Sequence, residues 1–114
     1  MNLGQLADRG RKMFPDVEER QDSFFTILDG KVVKACFLGF CILAITNRLT
    51  QQEYTTRNAD VIDLIEKMVL GKWSAIVFAN DTKGYEAAAE LASKIEVPED
   101  VEIIVEGNAN HVSE

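Results

Sequence analysis

Apolar side chains return with helical spacing at the start of the chain, where Leu3, Leu6, Ala7, Gly10, Met13 and Phe14 fall at i, i+3, i+4 and i+7 intervals. Asn2 stands where a side-chain oxygen caps a first turn. Pro15, lacking an amide proton, stops the helix after Phe14. A polar loop from Asp16 to Asp22 follows. Ser23 to Leu28 and Lys31 to Val33 are β-branched and aromatic in character and flank Asp29-Gly30, a pair that accepts the positive φ angles of a two-residue turn. The pattern predicts a β-hairpin.

Ala35 to Ile45 is apolar on every side, so periodicity does not separate a buried helix from a central strand. Its length favours a helix and its β-branched and aromatic content a strand. We read it as a helix ending near Asn47. Arg48 to Arg57 is polar and reads as a surface loop. Val61, Leu64, Ile65 and Met68 form the stripe of a helix capped by Asn58 and stopped by Gly71, with Asp60 in the first turn where the dipole favours negative charge. Ser74 to Ala79 is a short continuous apolar run, the pattern of a strand buried on both faces. Asn80-Asp81-Thr82 then supplies caps for a helix whose repeating positions are Tyr85, Ala88, Leu91, Ala92 and Ile95, ended by Val97-Pro98. Val101 to Val105 reads as a further strand. The expected fold is α+β, a small sheet of the hairpin plus two C-terminal strands with helices packed on it. It forms a single domain over 1–107 with a polar tail over 108–114.

The 114 residues suit one core, and a composition 46% hydrophobic and 27% charged excludes collagen-like, low-complexity and wholly disordered chains. Twelve Lys plus Arg against nineteen Asp plus Glu leave a net charge of -7. A general nucleic-acid binder needs a positive surface to displace counterions, so that class is disfavoured. The charge is lopsided: residues 1–59 carry eight basic and seven acidic side chains, residues 60–114 four and twelve. Such an acidic half either steers a basic partner or simply solvates the protein. An acidic nucleic-acid mimic would need those acids on one regularly spaced face. The longest apolar run, Ala35 to Ile45, is far short of the roughly 20 residues that span a bilayer. The start lacks the basic and apolar regions of a secretory signal. A cytoplasmic protein with reduced thiols and no membrane contact is expected.

Little in the chain suggests catalysis. Cys36 and Cys41 are five residues apart, about 140° around a helix, and lack the Cys-x-x-Cys spacing of a redox pair. Phe37, Leu38, Phe40 and Ile42 around them raise a thiol pKa, so both read as core packing. His111 lies in the polar tail, and one His with two separated Cys makes no zinc set. No catalytic constellation, metal or cofactor is expected. The strongest positional candidate is Asn80, Asp81, Thr82 and Lys83, before Gly84, at the end of the predicted strand 74–79 and the start of a helix. Ligands of open α/β sheets bind outside the carboxyl ends of strands, and helix N-termini attract anions. Asp81 would orient a metal, a water or a hydroxyl and Lys83 would offer positive charge. The plainer reading is a helix cap and a turn. Trp73 and Tyr54 border loops, as interface anchors or as ordinary core edges, and Tyr85 reads as packing.

The run Lys34-Ala35-Cys36-Phe37-Leu38-Gly39-Phe40-Cys41, with the later Asn80-Asp81 and an Ala-rich amphipathic helix, resembles small uncharacterised bacterial and phage proteins. In these a Cys-x-Leu-Gly segment follows a short hairpin and an Asn-Asp pair precedes the last helix. The resemblance spans about Leu6 to Ile95, rests on Cys36, Leu38, Gly39, Asn80 and Asp81, and implies a compact α+β domain without an assigned activity. Locally, Ala75 to Asp81 through Val97 to Val101 is similar to a β-α-β segment of lac-repressor-type ligand domains, where the Asn-Asp strand end lies near the ligand cleft. The match covers about a third of the chain, without the second lobe or the helix-turn-helix, and Glu96 stands where that family has Gly.

Two functional expectations result. The first is a non-enzymatic interaction module whose acidic C-terminal half meets a protein partner or a second copy. The alternative is a small-molecule-binding or hydrolytic site around Asp81 and Lys83.

Overall fold

A computed structural model describes residues 1–21, 23–50 and 56–109, of which 56–58 and 109 by their backbone. Its centre is the segment that is apolar on every side. This folds as a helix, α2 (Phe37–Thr46), with Phe37, Phe40, Cys41, Ile42, Leu43 and Ala44 completely buried. Each large aliphatic or aromatic side chain so buried contributes about 1.5–3 kcal/mol, and a helix apolar all round has to be enclosed on all sides.

The enclosure is built from both ends of the chain. α1 (Leu3–Met13) lies against α2 and starts with the expected Asn2 cap, strengthened into a reciprocal box. The Gln5 amide donates to Asn2 Oδ1 and the Asn2 amide to Gln5 Oε1, each at 2.8 Å. Gly10 sets how closely the two helices approach, because a methyl group there would collide with the Phe40 carbonyl. The sheet has the order β1-β3-β2. β2 (Phe25–Leu28) and β3 (Lys31–Ala35) form the predicted hairpin, with Leu28 opposite Lys31 and φ of 53° at Asp29 and 80° at Gly30. Two successive positive φ angles match the twist of the flanking strands. β1 (Glu18–Glu19), inside the segment read as a polar loop, pairs parallel to β3.

Among the described residues, the elements after α2 are all helices: α3 (Thr56–Val69), α4 (Trp73–Lys83), α5 (Tyr85–Ala92) and α6 (Glu99–Ala109). The protein is therefore α+β, but the two expected C-terminal strands are helices. Ser74–Ala79 belongs to α4, where the buried residues are Ile76, Ala79 and Asn80, an i, i+3, i+4 set. Val101–Val105 belongs to α6, where Val101 and Val105 are buried at i, i+4. Short apolar runs carry no period long enough to tell the two states apart, and tertiary packing decides. The strand-helix-strand expected over 75–105 is thus three helices. Two caps also move. α3 already begins at Thr56, so Asn58 lies inside it, and Asn80-Asp81-Thr82 form the last turn of α4 rather than the cap of α5. Gly84, at φ 98°, separates α4 from α5. Asn108, placed in the tail from sequence, is in α6, and His111 and Tyr54 lie outside the described residues.

The chain's start is tied into this shell. The Leu3 amide donates to the Ile95 carbonyl at 2.8 Å and the Val97 amide to the Met1 carbonyl at 2.9 Å, which brings α1 beside the start of α6.

Candidate functional site

The last turn of α4 holds the four residues singled out from sequence, and they do different things. Asn80 is 3% exposed. Its Oδ1 accepts the Phe37 amide at 3.1 Å, and its Nδ2 donates to the Arg20 carbonyl at 3.4 Å and to Asp81 Oδ1 at 3.3 Å. The Phe37 amide is among the first N–H groups of α2, which have no partner inside the helix. Asn80 supplies one from another helix, while the Cys36 sulfur accepts the Gly39 amide at 3.4 Å. Asp81 is half-buried beside Asn80. Thr82 is exposed, its hydroxyl donating to the Phe78 carbonyl one turn back at 2.7 Å. Lys83 is exposed at the helix C-terminus, where the dipole favours a cation. The geometry that suggested a ligand site, a strand end meeting a helix start, is not what these residues occupy.

A parallel device closes the other end of α2. Asn108 Nδ2 donates to the carbonyls of Ala44 and Ile45 at 2.9 and 2.8 Å, and Asn47 in left-handed conformation ends the helix. α2 is thus held at its two ends by asparagines from α4 and α6.

Both cysteines are free and buried. Burial pushes the Cys36 thiol up to about 11 and the Cys41 thiol well above its ordinary value. A thiol so protonated is a poor nucleophile, in line with the core role expected of both. Trp73 is a core edge, half-buried and edge-on to Phe24 with ring centroids 6.0 Å apart.

A polar and aromatic cluster joins residues far apart in the sequence. Tyr85, on α5, packs on Phe37 and Phe40 and donates its hydroxyl to Asp8 Oδ1 at 2.7 Å. Burial first, and then the bond to Asp8, raises its pKa, so it stays a donor. Arg11 lies over the Tyr85 ring, its guanidinium carbon 4.3 Å from the centroid, and reaches Glu19 at 3.0 Å and Glu86 at 3.6 Å. Asp8 and Arg11 are one turn apart on α1, a signal that was present but meaningless without knowing that Tyr85 arrives between them. The cluster joins α1, α5 and β1.

Beside it, an open cleft of about 540 Å³ runs between α1 and α6, lined by Gln5, Asp8, Arg9, Lys12 and Glu106 among others. At its end the Met1 ammonium donates to Glu102 Oε2 at 2.9 Å, a bond that raises the pKa of the amino group. Among the described residues no group of three or more His, Cys, Asp or Glu is placed to hold a metal ion, and no helix is long and apolar enough to cross a membrane.

What the described surface does offer is apolar side chains in water. Phe78 on α4 is 67% exposed, and Ile103 and Ile104 on α6 are 63% and 51% exposed. Comparisons with protein-family models, with curated proteins and with solved structures return no match to this chain.

Proposed function

We propose that this chain is a non-enzymatic protein-interaction module, acting by docking rather than by chemistry. The observation that supports it is the exposure of Phe78, Ile103 and Ile104 on α4 and α6, helices whose inner faces are already packed. Large apolar side chains kept in water on a folded helix gain about 1.5–3 kcal/mol each when a partner covers them, and aromatic anchors are frequent binding hot spots.

The test compares the wild-type chain with Phe78→Ser and with the Ile103→Ser/Ile104→Ser double variant, after thermal melts confirm that all three fold equally well. Light scattering reads self-association, and affinity capture from an extract of the source cells reads partners. The expected result is a stoichiometric partner or oligomer that one of the variants loses. A wild type that stays monomeric, and retains nothing that the variants do not, removes the reading. The alternative, a small-molecule or hydrolytic site around Asp81 and Lys83, requires a ligand whose stabilisation of the wild type disappears in Asp81→Ala. A thermal-shift screen of metals, nucleotides, sugars and phosphates checks that directly.

A further inference from the structure

The outward face of α6 has a composition that narrows the partner. Val101, Val105 and Asn108 point inward, and at 100° per residue the opposite side of the helix is centred on Ile103. Glu99 and Glu106 flank Ile103 on one side, and Asp100 and Gly107 on the other, with Ile104 next along. Glu99, Asp100 and Glu106 are all exposed, and no basic residue occurs anywhere in Glu99–Ala109. Glu102 is engaged by the Met1 ammonium, and Glu106, though exposed, also borders the α1–α6 cleft beside that amino group. Gly107 stands one turn beyond Ile103, with open space where a side chain would begin.

We propose that this face docks a basic amphipathic helix of a partner protein, a proposal that rests on the interaction-module reading. An apolar side chain of the partner covers Ile103 and Ile104, and the notch at Gly107 lets the two helices approach closely. Flanking lysines or arginines meet Glu99, Asp100 and Glu106. The charge argues against the other occupants. A second copy related by a two-fold axis would set these three carboxylates against their own equivalents. An anionic lipid surface or a nucleic acid would be repelled in the same way. An apolar face flanked by Glu99, Asp100 and Glu106, on a helix without a basic residue, fits a partner that is apolar and basic together.

The probe is a synthetic, fluorophore-labelled leucine-lysine peptide of about four helical turns with its leucines on one face. It is titrated into the full chain beside a scrambled isomer of equal charge, in which the leucines are dispersed. The amphipathic peptide is expected to bind at least about tenfold more tightly than the isomer, a difference of about 1.4 kcal/mol. Ile103→Ser and Glu106→Lys each weaken it about tenfold, added salt weakens it further, and Ile27→Ser on the hairpin leaves it unchanged. Equal binding of the two peptides, or binding indifferent to the α6 variants, overturns the proposal. So does a wild-type dimer that Ile103→Ser dissolves, which would make the occupant a second copy. If the peptides fail while the wild type still captures a partner through Phe78, the chemistry assigned to α6 is wrong and the module reading stands. Failure of both removes the two together.

Discussion

The amide of Phe37 is bonded to the side-chain oxygen of Asn80, 43 residues later, at 3.1 Å in a buried position. Replacing Asn80 by Ala leaves that amide and the Arg20 carbonyl without their partner. A buried donor deprived of its acceptor costs about 1–3 kcal/mol, so urea denaturation of Asn80→Ala should show a loss in that range with an unchanged m-value. Asn80→Asp, which keeps an acceptor at the helix N-terminus, should lose less.

Asn108→Ala removes the matching bonds at the far end of α2. The expected loss is about 1–2 kcal/mol. Because the two asparagines act on opposite ends of a ten-residue helix, the double variant should be additive within about 0.5 kcal/mol. A double-mutant cycle checks this, and strong coupling would mean that the two caps report one cooperative unit.

Gly10→Ala tests the α1–α2 contact. Alanine is the better helix former by about 1 kcal/mol, yet its methyl group meets the Phe40 carbonyl, a backbone atom that moves only if a helix moves. Overpacking of about 1–3 kcal/mol less that gain leaves a net loss of up to about 2 kcal/mol, visible as a lower midpoint of denaturation. Gly107→Ala, with open space at the same atom, should instead be neutral or slightly stabilising.

Alkaline stability follows from the thiols. Cys36 has a folded-state pKa raised to about 11 from an unfolded value of 9.0, chiefly by burial. Its contribution is therefore fully present below pH 9 and is lost as the pH climbs towards 11, because only the unfolded chain releases the proton in that window. Two units correspond to at most about 2.7 kcal/mol. Stability measured from pH 7 to 11 should fall more steeply for the wild type than for Cys36→Ser, whose hydroxyl keeps an acceptor at the start of α2 and does not titrate there. Parallel curves would show that this thiol is not desolvated.

Tyr85→Phe should separate packing from hydrogen bonding. The ring contacts with Phe37, Phe40 and Arg11 survive, and only the bond to the exposed Asp8 is lost. A decrease of about 0.5–1.5 kcal/mol is expected, against about 3–5 kcal/mol for Tyr85→Ala.

The sequence exposed its local rules and hid its distant ones. Asp29-Gly30 specified the hairpin turn, and Asn2 marked the start of α1, because those signals act within a few residues. The two misread segments failed for different reasons. Pro98-Glu99-Asp100, followed by Glu102, carries the negative first turn of a helix after a proline, but Val101 to Val105 outweighed it as an apolar run. For Ser74 to Ala79 the inward side is defined by Asn80, whose partner Phe37 belongs to another helix. Asn80 is a ligand-site candidate by sequence position, and in the fold its side chain also makes a buried bond to the Phe37 amide. Ile103 and Ile104 read from sequence as part of a strand, and in the helix that forms instead both are exposed.

The positions of the two asparagines also order events in time. Asn108 reaches back 64 residues to the Ala44 carbonyl, and Asn80 reaches back 43 to the Phe37 amide. The apolar segment from Phe37 to Ile45 is therefore synthesised well before either of its clasps. Contacts of such separation carry a loop-closure cost before they yield any stability, which slows folding. Exposed apolar surface of this kind favours aggregation until it is covered, and α2 gains its second clasp only with α6.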